Sequence, residues 1–194
     1  ICASLVMAAT AALKAVLESE RVGTVSLRDS VRCASLARRL SQDWNGTGRG
    51  GSFFAALAPE LVGETWAVSG EKEQAVVLAC YMCYGMRIVD RESYHKNFRF
   101  EVENLISQVK TALLRSLSLP PDVVETPALR DNVLAIVVAL STRLPLLSLG
   151  DDGTSKTLSL SLVLSKMQGR FSSVKFLQSL RRAQLFQLQL SESS

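Results

Sequence analysis

The sequence predicts a mixed α and α/β fold, with a helical bundle over residues 1–119 and the opening of a parallel-sheet core over residues 120–194. Three observations carry this expectation. Apolar residues recur at helical spacing through much of the first 118 positions, and Leu119-Pro120-Pro121-Asp122 then breaks the chain sharply. Beyond the break, Gly150-Asp151-Asp152-Gly153-Thr154-Ser155-Lys156-Thr157 lies between a short apolar run and a helical pattern. It has the frame of a phosphate-binding loop, with Ser155 in the place of the second glycine.

Taken in order, Ile1–Glu20 is alanine-rich and reads as a helix ending near Arg21-Val22-Gly23. A second helix is expected over about Leu27–Asp43, with Ser26 as N-cap and Asp29 in the first turn, where the helix dipole favours a carboxylate. Arg28, Arg32 and Arg39 mix there with Val31, Leu36 and Leu40. Asn45–Ser52 reads as a glycine-rich connector.

A helical pair follows, Glu71–Ile88 and about Phe100–Ser118. In the second, Val102, Leu105, Ile106, Val109, Leu113 and Leu114 form an apolar stripe, with Glu101, Glu103, Gln108 and Lys110 expected outside. After Pro127 comes Ala128–Arg143, whose Val133, Ile136, Val137 and Leu140 are expected to pack inward. Leu146-Leu147-Ser148-Leu149 reads as a buried strand delivering the chain to Gly150. A helix from Leu158 to Met167 stops at Gln168-Gly169, Phe171–Leu180 is a mixed connection, and Gln184–Leu190 alternates like a half-buried strand.

A strand-to-helix junction is the context in which a phosphate-loop frame has chemical meaning. Consecutive backbone N–H groups and the helix dipole favour phosphate oxygens. Lys156 supplies a point charge for the outer phosphates, and the Thr157 hydroxyl is placed to coordinate magnesium. Asp151 and Asp152 oppose this, because two carboxylates in a loop meant for a polyanion repel it unless a cation intervenes. The competing reading is a strand-turn-helix whose polar residues merely cap the helix.

Composition narrows the remaining classes. A chain of 194 residues with 47% apolar and 21% charged residues is that of a globular protein, not a disordered one. The net charge of +4 is spread along the chain without interleaved aromatic residues, so nucleic acid is not an expected partner. No apolar segment is long enough for a transmembrane helix. Ile1–Leu13 imitates a signal-peptide core but has no basic lead-in or cleavage pattern, and a start at Ile with an end on a finishing strand is expected of a fragment. Cys80 and Cys83 form a C-x-x-C pair without a second ligand pair; core packing is the expectation there, as is a turn for the sequon Asn45-Gly46-Thr47.

Two separated motifs resemble one family. Val25-Ser26-Leu27-Arg28-Asp29 with Arg32 resembles the helix start in the lid of AAA+ modules of the mysterin type, the giant ring-finger AAA+ ubiquitin ligases; a similar stretch occurs in midasin. Phe100–Leu105, Leu129-Arg130-Asp131-Asn132-Val133, Arg143-Leu144-Pro145, Gly153–Leu158 and Met167-Gln168-Gly169 resemble the entry into the next AAA+ core of the same family, which uses a serine before the lysine.

The resemblance implies that residues 1–119 are the helical lid or linker of one AAA+ module and residues 120–194 the truncated N-terminal part of the next P-loop core. It implies ATP and Mg2+ as cofactors, with Gly150, Gly153, Thr154, Ser155, Lys156 and Thr157 as nucleotide-binding residues and Thr157 reaching the metal through the nucleotide. Arg28 matches a lid arginine directed at the phosphates of the preceding module. Partners would be neighbouring AAA+ modules of the same chain and, in the parent, the ubiquitin machinery, in a cytoplasmic setting. The parent would hydrolyse ATP, although this stretch contains no residue expected to polarise water, no arginine finger and no ring. Family members tend to carry lysine or glutamate and then proline where Asp151 and Asp152 stand, which leaves the affinity of this loop open. Two alternatives stand beside this reading: a non-catalytic helical scaffold with a degenerate loop, and a midasin- or dynein-like motor fragment.

Overall fold

Ser26 and Asp29 close a capping box that starts the first described helix, α1 (Leu27–Ser41). The Ser26 Oγ accepts from the Asp29 N–H at 3.3 Å, and the Asp29 carboxylate accepts from the Ser26 N–H at 3.0 Å. The computed structural model describes residues 26–42, 52–60, 70–87, 100–151, 153–178, 180 and 182–183. The helix expected over 1–20, the glycine-rich connector except Ser52, and the strand expected over 184–190 lie outside these residues.

Cys33, Leu36, Ala37 and Leu40 follow i, i+3, i+4, i+7 spacing and bury one face of α1, whereas Val31 is exposed. That face packs chiefly against α3 (Glu71–Cys83). α3 is buried continuously from Gln74 to Tyr81, as expected of a helix apolar on every side. Between them lies α2 (Phe53–Leu57), which continues into a 3-10 turn at Ala58–Glu60. Ser52 caps it, accepting from the Ala55 N–H at 3.2 Å and donating to Glu71 Oε2 at 2.5 Å. Phe53 packs edge-on against both Phe54 and Phe176, with ring centroids 5.4 Å apart in each pair.

The expected stripe of α4 (Phe100–Leu117) is buried at Leu105, Ile106, Val109, Leu113 and Leu114. Lys110 departs from the outward direction expected of it. Its ammonium turns into the junction of α3, α4 and α5 (Pro127–Thr142), donating to Tyr81 Oη at 2.7 Å and pairing with Asp131 Oδ1 at 2.6 Å. Tyr81 also donates to Asp131 Oδ1 at 2.9 Å, and the Lys110 Nζ sits 4.6 Å from the Tyr81 ring centroid. Asp131 belongs to α5, which begins with Thr126 accepting from the Leu129 N–H and Pro127 in the first turn.

α5 ends in a Schellman-type turn. Arg143 takes a left-handed φ of 54° while the Leu144 N–H bonds to Ala139 O and the Arg143 N–H to Leu140 O. Arg39, in the last turn of α1, donates to Thr142 O at 2.6 Å and so stitches the ends of α1 and α5 together. The chain then reaches α6 (Lys156–Lys166), a 3-10 turn at Gly169–Phe171 and the short α7 (Lys175–Gln178). α6 packs on α5, and one apolar cluster joins α1 through α7 across the Pro120-Pro121 break.

The expected parallel sheet is not found: the described residues are helical and contain no strand. Leu144–Asp151 has no secondary structure, and Leu146, Leu147 and Leu149 are 44, 80 and 82% exposed instead of buried. A run of leucines favours burial but does not supply the neighbouring strand that would complete its ladder hydrogen bonds, and no such neighbour lies among the described residues. The α/β half of the predicted fold class is therefore corrected to helix and extended chain.

Among the cysteines, Cys33 of α1 and Cys80 of α3 meet in the core with sulfurs 3.6 Å apart. The Cys80 hydrogen bond, with burial, pushes the Cys33 thiol up from 9.0 to about 12. The Cys83 thiol is pushed far upward by its hydrogen bond with Cys33 and by burial.

The buried charge and the buried thiol each give a measurable effect on stability. Lys110→Met removes the Lys110 ammonium from the buried Asp131 carboxylate and lowers the unfolding free energy by about 3 kcal/mol, read by urea titration. Cys33 stays neutral in the fold but ionises in the unfolded chain, so its contribution is whole below pH 9.0 and is lost as pH rises through about 12. The urea midpoint should accordingly fall as pH is raised above 9.0, with a shallower slope in Cys33→Ala.

Candidate functional site

The loop between Leu149 and α6 is shaped by backbone conformations that its sequence makes accessible. Gly153 takes a φ of +79° with open space where a Cβ would stand, so glycine is needed there for its torsion and not for room. At Gly150, where φ is +158°, a Cβ would come within 3.2 Å of Thr154 Oγ1. Ser155 immediately precedes α6 in the left-handed region, at φ 59° and ψ 19°, a conformation costing a non-glycine residue about 1–2 kcal/mol.

Two side chains outside the motif brace this segment. Asn132 of α5 donates from Nδ2 to Thr154 O at 2.8 Å. Ser159, fully buried in α6, donates from Oγ to Ser155 O at 2.6 Å, and its N–H bonds the same carbonyl at 2.9 Å. Strained residues persist where the surroundings over-determine them, and the peptides on both sides of Ser155 are held in this way. Neither Asn132 nor Ser159 stands out in the sequence as a site residue. The signal for Asn132 is a polar pair, Asp131-Asn132, at the head of the apolar run 133–138.

Lys156 folds back over its own loop. Its Nζ donates to Gly150 O at 2.6 Å, Asp151 O at 2.6 Å and Thr154 Oγ1 at 2.9 Å, which occupies all three ammonium donors. Thr154 Oγ1 in turn donates to Asp151 O at 2.7 Å. The Ser155 side chain at the head of α6 makes no capping hydrogen bond, Thr157 is exposed in the first turn of α6, and Asp151 is exposed at the loop edge. Asp152 lies outside the described residues.

The structure thus brings Gly150, Thr154 and Lys156 into one hydrogen-bonded loop, with Gly153, Ser155 and Thr157 adjacent in the chain. Arg28 stands apart, exposed in the first turn of α1 and, among the described residues, without a hydrogen bond or ion pair to the loop.

Beside the loop runs a groove of about 360 Å³. Its walls are mixed in about equal measure, with Met82, Met86, Ala135, Ile136 and the exposed leucines beside polar groups of Asp131, Asn132, Ser148 and Thr154. An anion on the loop and a flat apolar group in the groove would be neighbours. No group of three or more Cys, His, Asp or Glu side chains among the described residues is arranged to hold a metal ion, and no described helix is long and apolar enough to cross a membrane.

Comparison with known proteins bears on the same part of the chain. Residues 122–194 match the family model described as the RNF213 AAA domain. The chain is 26% identical over 180 residues to E3 ubiquitin-protein ligase RNF213 of Homo sapiens, an overlap covering 88% of this chain and 3% of that protein. It is 24% identical over 130 residues to the Mus musculus protein of the same name, covering 62% of this chain and 2% of that protein. The similarity to E3 ubiquitin-protein ligase rnf213-beta of Danio rerio is 24% over 131 residues, again 62% of this chain and 3% of the relative. The chain therefore spans a few hundredths of the length of these relatives.

The open space around Gly153 makes it a clean probe of loop torsion. Gly153→Ala should lower stability by about 1–2 kcal/mol with no steric contribution. A urea titration showing no loss would mean that the left-handed turn does not constrain the loop.

Proposed function

We propose that this chain, whose residues 122–194 match the RNF213 AAA-domain family model, is the junction between two AAA+ modules of a large mysterin-like E3 ubiquitin ligase, and that its 150–157 loop binds the phosphates of ATP. The observation that carries the reading is the loop: a left-handed Gly153 and Ser155, a Lys156 ammonium directed at the loop's own oxygens, and an α6 amino terminus that Ser155 does not cap with its side chain, at one place. Together these gather N–H donors and positive charge at one place.

Each part of the loop has a counterpart on a nucleotide. Lys156 exchanges carbonyl oxygens for phosphate oxygens, a gain because charge-assisted bonds are the stronger ones. Thr157 presents a hydroxyl in the first turn of α6 for Mg2+, which when bound neutralises phosphate charge and offsets the repulsion from Asp151 and Asp152. The groove beside the loop offers both apolar side chains on which a base would lie and polar groups to orient it, which supports a nucleotide over inorganic phosphate. In the parent, ATP hydrolysis and ubiquitin transfer would depend on parts of the protein beyond these residues. Arg28 would serve the preceding module, with the division between modules near residue 120.

A second reading has its own observation. Lys156 already satisfies its three donors within the loop, so the same geometry suits a closed turn in a helical scaffold that binds nothing. The two readings separate in the full-length protein. Under the first, Lys156→Ala weakens ATP binding by at least about ten-fold, measured by titration calorimetry with Mg2+ present. Asp151→Asn, by removing a repulsive charge, tightens it several-fold at low salt and less at high salt. Under the scaffold reading wild type and Lys156→Ala are alike in showing no binding.

A further inference from the structure

We propose that Asn132 is a positioning residue for the nucleotide loop, acting by fixing the orientation of the Thr154–Ser155 peptide; its bearing on ATP rests on the proposed nucleotide binding. The side chain projects from α5, outside the motif, and reaches Thr154 O across 22 positions of sequence at 2.8 Å. Only the amide NH2 can serve here, because the partner is a carbonyl oxygen.

A trans peptide carries its C=O and N–H on opposite sides, and no described peptide is cis. Holding Thr154 O against α5 therefore turns the Ser155 N–H away from α5. That N–H is the donor lying between Gly153 and the first amides of α6, where a phosphate group would be received.

The next peptide is held independently, since the Ser155 carbonyl accepts from both Ser159 Oγ and the Ser159 N–H. Ser155 thus hangs between two clamps, one from α5 and one from α6. A glycine at this position would adopt the left-handed conformation freely; serine needs the clamps. The residue that distinguishes this loop from the usual phosphate frame and the asparagine that supports it are parts of one device.

Asn132 also adjoins Asp131, whose carboxylate is tied to Lys110 and Tyr81. Rotation of α5 about that buried pair would carry the Asn132 amide with it. Packing among the helices upstream of the loop and the aim of the Ser155 N–H are consequently linked through adjacent residues of one helix.

The test uses the full-length protein with Asn132→Ala and the near-isosteric Asn132→Asp, whose carboxylate accepts but cannot donate. Hydrogen exchange is followed in the nucleotide-free state, and ATP affinity with Mg2+ is measured in parallel. Both variants are expected to speed exchange in peptides covering 153–158 while leaving α4 and the middle of α5 protected. They are expected to weaken ATP binding roughly three- to ten-fold, the scale of one hydrogen bond.

Unchanged exchange at 153–158 would overturn the proposal whatever ATP does. So would faster loop exchange with undiminished affinity in a protein whose wild type binds ATP, and so would exchange raised alike through α4, α5 and α6, which assigns Asn132 a merely structural role. If loop exchange rises selectively but the wild type binds no ATP, the positioning of the loop by Asn132 is upheld and the nucleotide reading fails.

Discussion

Helix α5 must bury a run of apolar side chains and one carboxylate together, and the rest of the structure depends on how it does so. An isolated Asp131, 3% exposed, would be costly to remove from water. Lys110 from α4 and the Tyr81 hydroxyl from α3 meet it at a single oxygen, so the charge is neutralised where three helices join. Apolar packing alone tolerates rotation and sliding of helices. A buried charge with fixed partners selects one rotation of α5, and with it the directions in which its other side chains point.

That rotation links the core to the loop. With Asp131 turned inward to Lys110, the next residue, Asn132, reaches Thr154, and at the far end of the same helix Thr142 receives Arg39. The loop itself is a balance between strain and satisfaction. Ser155 stores unfavourable torsion, while the Lys156, Thr154 and Ser159 side chains donate to the loop's carbonyls. A lysine bound to its own loop is poised to change partners, because its present acceptors are neutral and a phosphate is not.

Several of these features are legible in the sequence alone. Ser26 and Asp29 announce a helix start because capping is local chemistry, and Pro127 marks the start of α5, whose Thr126 cap the structure adds. The stripe of α4 and the loop frame are legible for the same reason. α2 escapes notice because Phe53–Leu57 is too short to show periodicity; it exists through the Ser52 cap and aromatic packing against Phe176. Lys110 is expected outside because a charge on an amphipathic helix is usually solvated, and its true partner, Asp131, lies on another helix.

By itself, the sequence determined where helices begin, which faces are apolar, and that Gly150–Thr157 has the residues of a phosphate loop. These are properties of neighbouring residues and of spacing. Tertiary structure alone decided that Leu146–Leu149 stays exposed without a strand partner among the described residues, that Lys110 turns inward to Asp131, and that Asn132 and Ser159 hold Ser155 in its strained conformation. Each of those outcomes depends on a group distant in the chain or on another element, and spacing along the sequence holds no record of which partner arrives.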